Sequence, residues 1–444
     1  MSNSILPQVN ANAADTRRLR FQQTLTVVLL FTGYAAYYFC RSDLSVAMPL
    51  IIDHLHRHSM SANDATIHLG TIASLGVLAY AVGKLFLAGL GDIWGGRRSF
   101  NVGLGGAVAF TLLFVSGGAL PLFTIAWIGN RLTQSIGWAG LVKVCSKWFN
   151  YSSYGTIMGL LSLSFLIGDA AARSWMGSLI QHGYGWRALF YFAAAVAGFI
   201  LILNLIFLCE SRVDAGFSEP EVNPLNLFAE SDSKRRNFWS LIRPLLLSRG
   251  FIFVCLLSLG CTIVRETFNT WTPDYLHSFF GYSVGASASM SAIFPAVGAV
   301  SVLVTGWASD RLGVTGRAVI MFVCLSATTV ALLILSATPH WESTTAIPLV
   351  LIGAIAFCLL GPYSYLAGAF ALDFGGKQAG AVSSGVIDGV GYLGGVFAGD
   401  SIARLSVRFG WRGVFVALAA VTALSALAAG YLFVFQRKQQ LHAH

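Results

Sequence analysis

Long apolar runs recur from Thr24 almost to Phe435, with little polar sequence between them. A membrane helix takes about 20 apolar residues, because every backbone N–H and C=O must be satisfied inside the hydrocarbon. The approximate spans are 24–52, 67–91, 99–119, 122–146, 154–181, 187–209, 249–279, 284–309, 316–337, 344–371, 379–406 and 411–435. Twelve spans with short loops use up the 444 residues. Strand-like alternation is absent, so a β-barrel is not expected. Charged residues make up 11% of the chain, against roughly 25% in soluble domains. That excludes a water-soluble enzyme and a disordered protein, and leaves an all-α polytopic membrane protein. The first 20 residues are polar and hold no signal-peptide h-region, so the first span reads as a retained helix.

Basic residues orient the spans, since cytoplasmic loops carry an excess of Lys and Arg. With the N-terminus inside, 18 basic residues fall on the cytoplasmic side and 5 outside. Both termini are therefore expected in the cytoplasm. The net charge of +9 reflects those loops, and nucleic acid is not an expected partner. The longest polar stretch, with Pro220, Pro224 and Lys234-Arg235-Arg236, reads as a cytoplasmic linker over 210–248. It divides a six-helix half at 1–209 from a second at 249–444.

The halves repeat each other. Asp92-Ile-Trp-Gly95-Gly-Arg97-Arg98 follows the second span, and Gly306-Trp-Ala-Ser-Asp310-Arg311-Leu-Gly313, then Arg317, follows the eighth. The two aspartates are 218 residues apart. Gly185-Trp186-Arg187 matches Gly410-Trp411-Arg412 at an offset of 225, and Arg41 matches Arg265 at 224. Three features with nearly one offset argue for two parallel repeats, with a site near the midplane where they meet.

An ionisable group at a membrane helix centre costs roughly 2.5–3.5 kcal/mol, so it needs a partner, a cavity or a function. The candidates are Arg41, Lys84, Arg131, Asp169, Arg173, Arg265, Glu266, Asp388 and Asp400. Tyr34, Tyr38 and Arg41 share one helix face at i, i+4 and i+7, and Tyr37 lies one turn before Arg41. Hydroxyls beside a guanidinium suit an oxyanion. Arg41 and Arg265, meeting on the pseudo-twofold axis, can clamp one dianion through bidentate hydrogen bonds. The competing pairing of each arginine with Asp43 or Glu266 is awkward, because near neighbours face elsewhere on a helix. Lys84 adds charge or snorkels to the cytoplasm. Trp138 is a lining candidate. Asp169 and Arg173 are an i, i+4 ion pair or a proton site, and Asp400 is a further acid that could neutralise the cavity or carry a proton. Arg131 receives no role. The Asp92 and Asp310 loops, with Gly95, Arg97, Arg98, Arg311, Gly313 and Arg317, read as gating and structural elements.

The seven cysteines lie in or beside apolar segments without a CxxC pair and read as buried small hydrophobes. No metal cluster, catalytic carboxylate pair, nucleophile elbow or ATP-binding loop stands out. The expected protein is not an enzyme and has no cofactor.

The Gly-x-x-x-Asp-Arg-x-Gly loop resembles the signature of the major facilitator superfamily. The resemblance narrows on Gly33-Tyr-Ala-Ala-Tyr-Tyr-Phe-Cys-Arg41, Tyr80-Ala-Val-Gly-Lys84, Gln134-Ser-Ile-Gly-Trp138, Trp271-Thr-Pro273-Asp-Tyr275, Gly361-Pro362 and Lys377-Gln-Ala-Gly380 through Tyr392-Leu-Gly394-Gly395. Together these resemble the organophosphate:phosphate antiporter family. The resemblance implies the major facilitator fold, phosphate binding by Arg41 and Arg265 with help from Lys84, and exchange of an organophosphate for inorganic phosphate. Tyr34, Tyr37, Tyr38, Trp138 and Asp388 complete the expected site. Two departures stand out. Phe165 occupies the position of a family histidine, and Gly391 replaces a lysine three residues after Asp388. A proton-coupled sugar-acid symporter and a sugar-phosphate sensor without flux are the alternatives. The expected setting is a monomer in a bacterial inner membrane, with the lipid bilayer, a small anion and phosphate as partners.

Overall fold

The computed structural model describes residues 13–87, 93–117, 120–220, 238–339 and 346–442. The first half of the chain supplies α1 (Ala13–Arg57), α2 (Ala62–Phe86), α3 (Gly96–Ser116), α4 (Leu120–Gln134), α5 (Gly137–Trp148), α6 (Tyr151–Ser162), α7 (Ser164–Gln181) and α8 (Trp186–Phe207). The second supplies α9 (Phe238–Leu247), α10 (Arg249–Phe280), α11 (Val284–Ser291), α12 (Ile293–Ala337), α13 (Ala346–Tyr365), α14 (Ala371–Gly395) and α15 (Asp400–His442). Among the described residues, ten helical stretches are long and apolar enough to cross a membrane. Their outer faces expose Leu205, Ile206, Leu424 and Leu427, as lipid-facing surfaces do. This is a multi-pass integral membrane protein.

Several stretches differ from the expected spans: the fifth breaks between α6 and α7, and the eighth and ninth share α12. The fourth span, expected to be continuous over 122–146, breaks between α4 and α5. The Ser135 hydroxyl donates to the Leu132 carbonyl at 2.6 Å, and the Ser135 amide tightens to an i−3 bond with the same oxygen. Side-chain competition of this kind bends helices. The end of the eleventh span and the whole of the twelfth share α15, which Gly410 interrupts at φ 68°, ψ 178°. Such a backbone favours glycine, and it lets the chain start a new direction at Trp411. The described part of the expected linker contains the ten-residue helix α9, which the sequence reading did not place. Residues 221–237 lie outside the described residues.

The repeated Gly-Trp-Arg motif has a packing reason. Trp186 sits against Phe114, Phe123 and Phe190, and Trp411 against Trp271, Tyr275 and Phe415. Each tryptophan thus anchors its span in an aromatic cluster of its own half. The seven cysteines are free.

The halves touch mainly along α1 with α10, α2 with α14 and α15, and α7 with α11 and α12. At the end carrying the turns near 58–61, 182–185 and 281–283, that seam is closed. The Ser45 hydroxyl bonds the carbonyls of Asn269 and Thr270, both at 2.8 Å. The Thr71 hydroxyl donates to Asp400 Oδ1 at 2.8 Å, and Ser74 bonds both the Val396 carbonyl and the Asp400 amide. A Cβ on Gly177 would lie 2.6 Å from the Ser289 nitrogen and 2.7 Å from the Gly285 carbonyl. Such close approach is what small residues at helix crossings provide. Toward the opposite end, the Lys84–Asp388 pair ties α2 to α14. Among the described residues, α5 and α6 make no comparable packing with α13 or α14.

Candidate anion-binding site

The centre of the seam is an aromatic pair that bridges the halves. Tyr80 of α2 and Tyr392 of α14 have ring centroids 5.0 Å apart. Four cations gather on them. The Arg41 guanidinium lies 4.5 Å from the Tyr80 ring and 5.0 Å from Tyr38. Arg131 lies 5.3 Å from Tyr80 and 5.9 Å from Trp127. Lys84 Nζ lies 4.8 Å from Tyr392 and 5.5 Å from Tyr80. Arg265 lies 4.6 Å from Tyr363 and 5.5 Å from Tyr392. A desolvated cation on an aromatic ring gains about 2 kcal/mol, which offsets part of its insertion cost. The predicted pair, Arg41 and Arg265, is therefore joined through one continuous aromatic wall.

Two carboxylates answer two of these charges. Asp388 Oδ2 lies 2.6 Å from Lys84 Nζ, and Glu266 Oε1 lies 2.7 Å from Arg265 Nη2. The Arg265–Glu266 pair corrects the expectation that pairing with an adjacent residue is awkward. The guanidinium stem is long enough to fold back onto the next residue. Asp43 does not answer Arg41: its Oδ1 accepts from the Leu44 amide at 2.7 Å. Among the described residues, Arg41 and Arg131 form no ion pair.

Beyond Arg41, toward the closed end, a cavity of about 50 Å³ is lined by Arg41, Arg131, Glu266, Ser42, Asp169 and Arg173, with other residues of α1, α2 and α10. Asp169 and Arg173 pair at 2.7 Å, as their spacing predicts. The structure adds what the spacing cannot. Arg173 also donates to the Asn269 carbonyl at 2.6 Å and to Ser291 at 3.2 Å, so the pair is part of the seam between halves. The Ser42 hydroxyl donates to Asp169 at 2.5 Å.

Residues 30–399 match the Major Facilitator Superfamily profile. The chain belongs to the Major Facilitator Superfamily. The glycerol-3-phosphate transporter of Bacillus subtilis is 24% identical over 417 residues, which is 91% of this chain and 90% of that one. Membrane sensor protein UhpC of Escherichia coli is 25% identical over 421 residues, 92% of each chain. A solved bacterial homologue of the human lysosomal transporter Spinster, inward-facing and unoccupied, superposes with a TM-score of 0.69 at 15% identity. It covers 94% of this chain and 97% of that one, and shows the shared fold. The resemblance to organophosphate:phosphate antiporters is borne out by the relatives, and the superfamily is one of transporters rather than enzymes.

The remaining predicted residues of this major facilitator protein divide. Tyr38 and Lys84 join the cluster. Tyr34 packs on Tyr38 and on Trp138, with centroids 5.9 and 5.1 Å apart, one layer from Arg41. Phe165, at the histidine position, lies against Tyr38 at 5.7 Å. Tyr37 is a correction. Its hydroxyl donates to the Phe100 carbonyl at 2.5 Å and its ring packs on Phe100, so it points into the first half's core. On a helix, residue 37 is rotated about 100° from residue 38, and that rotation takes it off the cavity face. Asp400 is not brought to the cluster; it holds the closed seam through Thr71 and pairs with Arg404 one turn along its own helix.

Of the loop residues, Asp92 and the side chains at Asp310 and Gly313 lie outside the described residues. Gly95 takes φ +88° and turns the chain so that the amides of Gly96 and Arg97 donate to Glu210 at 2.9 and 2.6 Å. Arg97 also reaches the Leu205 carbonyl at 2.6 Å. Lys147 pairs with Glu210 at 2.6 Å. Burial raises the Glu210 pKa, but hydrogen bonds from Lys147, Arg97 and Gly96 outweigh it and hold the carboxyl below its ordinary value. Arg98 lines the groove beside Ile93 and Trp94. Arg311 lies 4.0 Å from the Trp307 ring, and Arg317 pairs with Asp373 at 2.8 Å. Sequence reasoning assigned nothing to Glu210, Tyr363 or Tyr392. Glu210 contacts residues more than 110 positions away, and no local pattern carries such a contact.

Proposed function

We propose that the protein is an alternating-access exchanger of a phosphorylated small metabolite for inorganic phosphate. In this reading twelve spans form two six-helix halves, with both termini in the cytoplasm of a bacterial inner membrane. Arg41 and Arg265 grip the phosphoryl oxygens, Lys84 adds charge, and Tyr38, Tyr34 and Trp138 wall the cavity. The B. subtilis relative, named for glycerol 3-phosphate, supports that substrate class.

One observation carries the reading. Five cations (Arg41, Lys84, Arg131, Arg173 and Arg265) stand with three carboxylates (Asp169, Glu266 and Asp388) at the cluster and its cavity. The excess of two positive charges matches a phosphoryl dianion. It also favours exchange. An empty carrier would have to enclose two uncompensated charges, at several kcal/mol per ion, whereas a loaded one encloses none. Asp169, Asp388 and Asp400 are each ion-paired, which disfavours the proton-symport alternative.

The test uses purified protein in phosphate-loaded liposomes and a labelled panel of phosphate, glycerol 3-phosphate, glucose 6-phosphate, phosphoglycerate and glucarate. The expected uptake requires internal phosphate and is lost in Arg41→Lys and in Arg265→Lys, which keep charge but lose the bidentate fork. Glucarate uptake driven by a pH gradient, indifferent to internal phosphate, would overturn the reading. Phosphate binding without flux would favour the sensor that the E. coli relative's name describes.

A further inference from the structure

Arg131 is the residue of the cluster for which neither the sequence pattern nor the repeat supplies a task. It sits in the last turn of α4, is 3% exposed, and its Nε has no hydrogen-bond partner. It lines the cavity behind Arg41. The fold makes room for it: a Cβ on Gly76 of α2 would lie 3.0 Å from Arg131 Cγ. The charged and titratable groups around it include Arg41 and Asp43 of α1, Tyr80 of α2, Glu266 of α10 and Tyr392 of α14. Glu266 is already engaged by Arg265. Asp43 of α1 is buried within electrostatic reach of Arg131, but it spends Oδ1 on the Leu44 amide and does not line the cavity. A buried guanidinium with an unfilled donor, close to a second guanidinium that has no ion-pair partner and rests on the same tyrosine, is a costly arrangement for an empty protein. It becomes favourable when an oxyanion fills the space between.

We infer that Arg131 sets the charge of the substrate: it supplies the second positive charge of the excess, so that the site selects dianionic phosphoryl groups over monoanionic ones. The inference rests on the anion-exchange reading above and names the property that reading leaves open. Without Arg131 the excess falls to one, which matches a monoanion. Removing the negative charge of Glu266 in the same protein returns the excess to two. A purely structural Arg131 would not respond to that second change.

The experiment measures equilibrium binding to the full-length purified protein at pH 8. Methyl phosphate is the dianion and dimethyl phosphate the monoanion. Wild type is expected to prefer methyl phosphate. Arg131→Gln is expected to reduce that preference by about ten-fold or more, the scale of one charge a few ångströms away in a partly solvated site. Arg131→Lys is expected to keep it. Arg131→Gln combined with Glu266→Gln is expected to regain it. Thermal unfolding midpoints of all variants establish that they are folded. Equal weakening of both ligands in Arg131→Gln, or no regain in the double variant, overturns the inference while leaving phosphate exchange standing. A wild type that binds neither ligand overturns both.

Discussion

Replacing the Asp169–Arg173 pair by neutral residues should unlatch the closed end. Arg173 makes two bonds that exist only while the halves meet there, to the Asn269 carbonyl and to Ser291. Replacing Arg173 alone would leave the Asp169 carboxylate, 7% exposed, without its cation, at about 3–5 kcal/mol. The informative variant is therefore Asp169→Asn with Arg173→Met, which removes both charges together. A hydrogen bond from a charged donor contributes about 1.5–3 kcal/mol, so losing two shifts the balance by about 3 kcal/mol. At 1.4 kcal/mol per decade, that is a roughly 100-fold shift toward the state open at this end. Spin labels at His182→Cys and Ser283→Cys, in a background without native cysteines, straddle the seam. The expected result is one short distance in the parent and an added longer distance in the double variant. Identical distance distributions would refute the reasoning, because the bonds would then carry no part of the closure.

Three further outcomes follow from the geometry. Glu210→Gln should lower stability by about 1–2 kcal/mol near neutral pH, since a carboxylate holding two amides and a lysine becomes a weaker acceptor. Because the folded-state pKa of Glu210 is depressed, its contribution is complete above the ordinary carboxylate pKa and is lost as pH falls through the lowered value. The wild-type and variant melting temperatures should therefore converge in acid. Tyr37→Phe should cost about 1 kcal/mol of stability, by removing the hydrogen bond to the Phe100 carbonyl, and should leave phosphate affinity unchanged; a large affinity loss would return Tyr37 to the cavity. Tyr392→Ala should weaken phosphate binding several-fold by removing the ring that Lys84 and Arg265 share, while Tyr392→Phe, which keeps the face, should bind nearly as wild type.

Much of this architecture is legible in the chain because membranes make sequence explicit. Apolar length locates the spans, and insertion cost marks Arg41, Lys84 and Arg265 as candidates before any fold is known. The i, i+4 spacing gives the Asp169–Arg173 pair, since both residues lie on one helix. What the sequence withholds depends on contacts between distant segments. Tyr80 and Tyr392 meet across the two halves, 312 positions apart. Glu210 caps α3 from beyond α8. Rotation about a helix decides that Tyr38 faces the cavity while Tyr37 faces Phe100. Glu266 was set aside because adjacent side chains diverge, yet a long guanidinium turns back to it. Arg131 carried a visible charge but had no counterpart in the repeat, so nothing in the pattern gave it a task.

The most direct measurement is efflux of labelled phosphate from proteoliposomes, with and without phosphate or glycerol 3-phosphate outside. The excess of two positive charges predicts that the empty carrier does not return, so efflux should nearly stop in anion-free medium and resume when substrate is added. Efflux at the same rate in both media would contradict the account, because a carrier that reorients empty does not need an anion to balance Arg41 and Arg131.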